Sequence, residues 1–191
     1  MVESAFLAGL LIGIGDIALV SCDNKYVGAL LFSLALLSII KLKLPLYTGK
    51  VGRMIKDKTV VECFVYLVFN IVGAMFVLLW LMPYNYTEVH NISTVKFLKD
   101  IPQLFLAGFL CNVLIHLAVT VKNDVITVLC VMVFILCGFE HCIADVPFII
   151  CSGRFFGDGV ILFLTILVGN TIGGLVTEAL ISNESKDSEF F

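Results

Sequence analysis

The chain is divided into apolar runs near 5–22, 26–49, 60–82, 103–121, 125–151 and 157–181, each of a length that matches a bilayer. A spanning helix needs about 20 such residues, so six crossings are expected. Composition leads to the same place. The chain is 60% hydrophobic and 14% charged, with a mean hydropathy of +1.08, whereas water-soluble domains run near 45–50% and about 25%. A soluble globule this small cannot hide that much apolar surface, so the lipid bilayer is the expected partner. Disorder, a secreted disulfide scaffold and a nucleic-acid module are excluded, because each needs polarity, an oxidised framework or a basic field that is missing here. The cysteines at 22, 63, 111, 130, 137, 142 and 151 are scattered and form no CxxC pair. They read as small membrane-helix residues, so no metal and no cofactor is called for. Met1-Val2-Glu3 offers no basic leader, and the first run is expected to stay in the protein.

Two of the six runs are interrupted. Lys41, Lys43 and Pro45-Leu46-Tyr47-Thr48-Gly49 break the second, and Gly138-Phe139-Glu140-His141 breaks the fifth. Backbone leaves a helix at membrane depth only where protein or a water-filled cavity satisfies it. The breaks hold corresponding places if the chain is two halves of three, about 1–83 and 103–183. Phe6-Leu7-Ala8-Gly9 recurs as Phe105-Leu106-Ala107-Gly108, and Asn70-Ile71-Val72-Gly73-Ala74 resembles Asn170-Thr171-Ile172-Gly173-Gly174. An odd number of spans per half inserts the second copy upside down, and interrupted helices at matching positions point to a transport site near the midplane. The expected fold is an all-α membrane domain over 1–183, an inverted repeat of three plus three helices with the second and fifth broken, followed by an acidic tail at 184–191. Lys50, Arg53, Lys56 and Lys58 make 50–58 the strongly basic connection, which the positive-inside rule places in the cytoplasm together with both termini. The connection 83–102 is then external, and its Asn85-Tyr86-Thr87 and Asn91-Ile92-Ser93 fit the glycosylation sequon.

Ionisable groups within spans are costly and mark functional sites. His141 lies beside Glu140 at the fifth-span break, where it would serve as a proton-accepting or hydrogen-bonding group. Glu140 is expected to tie down the freed backbone. Thr48 occupies the break of the other half, and its hydroxyl both donates and accepts. Lys41, Lys43 and Lys50 flank that break and Lys122 follows the fourth span, giving a cation-lined mouth that concentrates anions or simply lysines that snorkel at helix ends. Asn112 and Asn170 have helix–helix hydrogen bonding as their usual employment, and His116 is expected to pack between helices. Asp16 either pairs with a lysine or lies near the outer surface.

Leu46-Tyr47-Thr48-Gly49-Lys50, Leu110-Cys111-Asn112-Val113-Leu114, Gly138-Phe139-Glu140-His141-Cys142-Ile143-Ala144 and Gly169-Asn170-Thr171-Ile172-Gly173-Gly174 resemble the four signatures of the formate/nitrite transporter family, in the family's order and over nearly the whole chain. The resemblance implies an aquaporin-like fold, one pore per protomer, a homopentamer, and Thr48 and His141 facing each other at mid-pore. It implies Asn112, Asn170 and Glu140 as further pore residues, constrictions at Phe32, Leu36, Leu46, Tyr47 and Phe134, and vestibule charge at Lys43, Lys50 and Lys122. Departures from the family pattern are Asp145 where asparagine is usual, which adds negative charge near the outer vestibule, and Tyr47 where phenylalanine is usual. The expected function is a multi-pass channel of the inner (plasma) membrane for a small monovalent anion such as formate, nitrite or hydrosulfide, with permeation assisted by a proton near His141. Neutralisation removes most of the cost of carrying a bare charge across apolar constrictions. The alternative is a channel for a small neutral solute or ammonia. An intramembrane enzyme built on His141 with Cys142 or Cys111 is disfavoured, because neighbouring residues on a helix do not face one another and no third orienting group is evident.

Overall fold

The computed structural model describes residues 1–80, 86–96, 98–153 and 157–187; parts of the acidic tail and of the first sequon lie outside these. The helices are α1 Val2–Val20, α2 Lys25–Lys41, α3 Tyr47–Lys50, α4 Val60–Phe76, α5 Tyr86–Lys96, α6 Ile101–Val121, α7 Asp124–Leu136, α8 Asp145–Cys151 and α9 Asp158–Asp187, with a 3-10 turn at Val51–Arg53. Among the described residues, four helices are long and apolar enough to cross a membrane: Val2–Val20, Val60–Trp80, Ile101–Val121 and Asp158–Asn183. They keep large apolar side chains on their outer faces, including Ile14, Phe64, Leu79, Leu106 and Leu164. That pattern suits lipid and would be unfavourable in water.

The two halves begin and end their second helices alike. Asn24 caps α2 by accepting from Tyr26 N and Val27 N at 2.9 and 3.2 Å. Asn123 caps α7 by accepting from Val125 N and Ile126 N at 3.0 and 3.1 Å. At the other end Lys43 N donates to Ile40 O and Leu44 N to Ile39 O, while Gly138 N donates to Ile135 O and Phe139 N to Phe134 O. Lys43 (φ 56°) and Gly138 (φ 68°) are both left-handed. These are two Schellman caps, in which a left-handed residue turns the chain and captures the helix's orphan carbonyls. Pro45 then cannot donate to a continuing helix, and α2 and α7 stop at 17 and 13 residues.

Glycine lets the long helices of each half approach at backbone distance. A Cβ on Gly73 would lie 2.1 Å from Phe6 O, and one on Gly173 would lie 2.3 Å from Phe109 O. The pairs α1/α4 and α6/α9 therefore pack in matching ways, through the small-residue contacts that membrane helices favour. The connection expected at 83–102 is partly helical, because it contains α5. Asp100 and Gln103 form a capping box that starts α6, with Pro102 in its first turn.

Candidate functional site

The two helix breaks are held by two asparagines. Asn70 Oδ1 accepts from Tyr47 N at 2.8 Å, while its Nδ2 donates to Ala5 O and Pro45 O at 2.7 and 3.1 Å. Asn170 Oδ1 accepts from Cys142 N at 2.9 Å, while its Nδ2 donates to Gly108 O and Glu140 O at 2.7 and 2.9 Å. Both amides are buried, so they satisfy backbone groups for which no water is at hand. This equivalence makes Leu46 the counterpart of His141. Thr48 stands two residues beyond that position, as the second residue of the short helix α3.

Thr48 and His141 are nevertheless brought together. Thr48 Oγ1 lies 2.8 Å from His141 Nε2, and both residues are buried. The other ring nitrogen fixes the tautomer, because His141 Nδ1 accepts from Ala144 N at 3.2 Å. A nitrogen facing a backbone N–H carries no proton of its own, so in the neutral ring Nε2–H donates to Thr48. Phe134 stacks on the imidazole at 6.1 Å between centroids, and Phe32 meets Phe134 edge-on at 5.9 Å.

A cavity opens on each side of this group. One, of about 670 Å³, is bounded by Phe32, Phe134, His141, Lys96, Asp145 and Asp16. The other, of about 520 Å³, is bounded by Leu36, Leu46, Lys43, Lys50 and Lys122 among others. Phe32 and Leu36 are one turn apart on α2, so only about 6 Å of helix separates the two cavities there. In the second cavity Lys41 pairs with Asp124 at 2.6 Å, and Arg53 turns to Glu178 at 3.0 Å. Lys43, Lys50 and Lys122 remain as its cationic lining.

Residues 1–182 match the family model described as "Formate/nitrite transporter". The chain belongs to the formate/nitrite transporter family. The nitrite transporter NirC of Salmonella typhimurium (strain LT2) is 28% identical over 213 aligned residues, covering 91% of this chain and 78% of NirC. A solved structure titled "Pentameric formate channel with formate bound" superposes with a TM-score of 0.72 at 22% identity, covering 98% of this chain and 95% of that one. A structure titled "FNT family ion channel" gives 0.81 at 24%, covering 96% and 89%. As a family member the chain is a multi-pass membrane transporter and not an enzyme.

Other expected site residues of this formate/nitrite transporter are engaged differently. Glu140 does not tie down the broken backbone. Asn170 does that, and the Glu140 carboxylate instead pairs with Lys96 at 3.0 Å and Lys99 at 2.5 Å. Lys96 also reaches Asp145 at 2.5 Å, so the negative charge expected at the vestibule is paired and buried. Asn112 Nδ2 donates to Asn170 O at 2.7 Å, which joins α6 to α9. Tyr47 directs its hydroxyl to Thr171 at 2.8 Å. His116 Nε2 lies 2.9 Å from Glu178, which also receives Arg53 and Lys56 at 3.0 and 3.1 Å and so fastens the basic connection to α9.

Lys96 and Lys99 were not singled out from the sequence. Their signal was a pair of lysines three residues apart in the connection that the positive-inside rule makes external. Burial opposes the Lys96 charge, but the carboxylates of Asp145 and Glu140 outweigh it and hold the ammonium above the ordinary lysine range.

Proposed function

We propose that this protein is a channel for small monovalent weak-acid anions such as formate, nitrite or hydrosulfide, with permeation assisted by a proton at the barrier between the two cavities. The observation that carries this is the Thr48–His141 hydrogen bond, set in an apolar layer between a lysine-lined cavity and the cavity beneath α5. Lysines gather the anion. The apolar layer of Phe32, Phe134, Leu36 and Leu46 penalises the bare charge by far more than it penalises the neutral acid. In its neutral tautomer His141 offers an N–H to the solute as Thr48 gives way, a stabilisation that does not require a charged ring.

The same reading takes α2 with α3, and α7 with α8, as broken second and fifth spans, making six in a single domain over 1–183 with halves 1–83 and 103–183. Five copies assemble, as in the pentameric formate channel, and each carries its own pore. The basic connection 50–58 and both termini lie in the cytoplasm of a plasma membrane, so the cavity bounded by Lys96 is the outer one. A neutral-solute or ammonia channel is the second reading, and the cationic inner cavity speaks against it. Proteoliposomes tested with formate, nitrite, hydrosulfide, lactate and glycerol at several pH values decide between them. Formate and nitrite flux that rises as pH falls is expected, while swelling in glycerol with no anion flux would replace this reading by the second.

A further inference from the structure

Among the described residues, the outer cavity holds more acid than base. Glu140 has Lys99 and a share of Lys96, and Asp145 has Lys96. Asp16 has neither: it is 1% exposed, lines the cavity, and its Oδ2 is buried with no hydrogen-bond partner. Among the described residues, three carboxylates therefore face two ammonium groups. An isolated buried carboxylate is among the most expensive groups a protein can hold, and in practice it takes up a proton or a cation. Lys96, the cation within electrostatic reach of Asp16, is already engaged by Glu140 and Asp145, and a proton satisfies Asp16 in its place.

Among the described residues, Asp16 lies where α1 meets α2 and the end of α4. On α2, Phe32 and Ala35 abut the neighbouring Gly15, and Ala74 of α4 and Val77 at its C-cap abut Gly13, all without charge. Lys96 at the end of α5 and Asp145 at the start of α8 lie within electrostatic reach. Lys99, Glu140 and His141 line the same cavity. His141 is poorly placed to supply a proton, because its Nδ1 faces the Ala144 N–H and its one N–H is engaged by Thr48.

We propose that Asp16 carries the transferable proton of the outer cavity and is its donor to the entering anion. In this step the Asp16 O–H bond breaks and an O–H bond forms on the anion, leaving Asp16 as a carboxylate and the solute as a neutral acid. External water then returns a proton to Asp16. The exchange approaches balance for a carboxylic solute once that solute has itself left water for the apolar cavity, where its charge is opposed as that of Asp16 is, and Lys96 stabilises the transient carboxylate. On the inner side Lys43, Lys50 and Lys122 favour the anion again, so the acid gives up its proton to the water of that cavity.

The inference rests on the anion-channel reading, and the test separates the two. Formate uptake into proteoliposomes is compared for wild type, Asp16→Asn and Asp16→Glu at matched amounts of assembled protein. Asp16→Asn is expected to slow uptake on the order of tenfold or more at alkaline external pH, with recovery at acidic pH where formic acid enters from solution, and Asp16→Glu restores the wild-type profile. An Asn variant with the wild-type rate and pH profile overturns the proposal. Infrared spectra of purified wild type at neutral pH give a reading independent of transport. A carbonyl band from a protonated carboxyl is expected, lost in Asp16→Asn and shifted in Asp16→Glu, so the Glu variant decides should the Asn variant fail to assemble. Absence of that band in wild type, or its persistence unchanged in the variants, overturns the proposal. Wild type that shows the band but moves no formate overturns the channel reading and leaves the proton on Asp16.

Discussion

Asn70 and Asn170 perform the same task in the two halves: each accepts from the backbone N–H that follows a helix break and donates to the carbonyl two residues before it. The break is therefore a built feature, closed on one side by a Schellman cap and on the other by a buried amide. Superposing the halves by these bonds sets Leu46 against His141, so the one ring at the centre of the barrier has an apolar counterpart.

If these amides hold the breaks, removing one leaves buried backbone groups unpaired at about 1–3 kcal/mol each. Asn170→Ala and Asn70→Ala are each expected to lower stability by roughly 3 kcal/mol or more, for three lost bonds. Asn170→Asp should be worse than Asn170→Ala, because a carboxylate keeps the acceptor for Cys142 N but turns charge toward Gly108 O and Glu140 O. Thermal unfolding of detergent-purified protein measures this, and melting points equal to wild type would show that the breaks stand without the asparagines.

The Lys96 cluster makes a second test. Lys96→Met leaves Glu140 only Lys99 and leaves Asp145 no cation, and breaking a buried pair from one side costs about 3–5 kcal/mol. Lys99→Met should cost less, since Glu140 keeps Lys96. Lys96→Met with Asp145→Asn should recover part of the loss, because the stranded charge goes with its partner. The raised titration of Lys96 sets the pH dependence: its stabilising effect is complete below the ordinary lysine range and is lost only as pH rises through the higher folded value. Wild-type stability is therefore expected to show no loss from this pair between neutral and mildly alkaline pH.

The apolar runs and the ends of α2 and α7 near Pro45 and Gly138 carry strong local signals in the sequence, whereas the meeting of Thr48 with His141 was implied by the family resemblance and not by spacing. The partners of Glu140 carry no such signal. Lys96 reaches it across 44 residues of sequence, from a helix in a connection read as loop, and no local pattern records a contact of that span. Asn70 was visible only as part of a repeated string, because an amide in an apolar helix looks the same whether it joins helices, faces a solute or holds a broken backbone. The offset of Thr48 from the true counterpart of His141 was likewise hidden, since it is set by hydrogen bonds and not by spacing within either motif.

Orientation is checked at Lys56, whose side chain is 62% exposed although its ammonium reaches Glu178. A cysteine placed there is expected to react with an impermeant maleimide in inside-out vesicles and to stay unlabelled in intact cells. Labelling from outside would invert the assignment of the two cavities and move Asp16 to the cytoplasmic side.

The barrier itself is probed at His141 and Thr48. His141→Phe keeps an aromatic ring against Phe134 but removes both the donor to Thr48 and the acceptor for Ala144 N, so formate flux should fall roughly ten- to a hundredfold, the scale of a lost hydrogen bond to a charged solute at about 1.5–3 kcal/mol. His141→Asn retains one donor and one acceptor but does not titrate near neutral pH. With the histidine acting as a neutral N–H donor, this variant should keep measurable flux and much of the wild-type pH dependence, since the proton does not originate on the ring. Thr48→Ser should be close to wild type and Thr48→Val well below it, because the hydroxyl and not the methyl faces Nε2. Flux through proteoliposomes, at equal amounts of assembled protein, supplies the measurement. His141→Asn with wild-type assembly but a flat pH profile would move the titrating group back onto the imidazole, and wild-type flux in both His141 variants would remove the ring from the permeation step altogether.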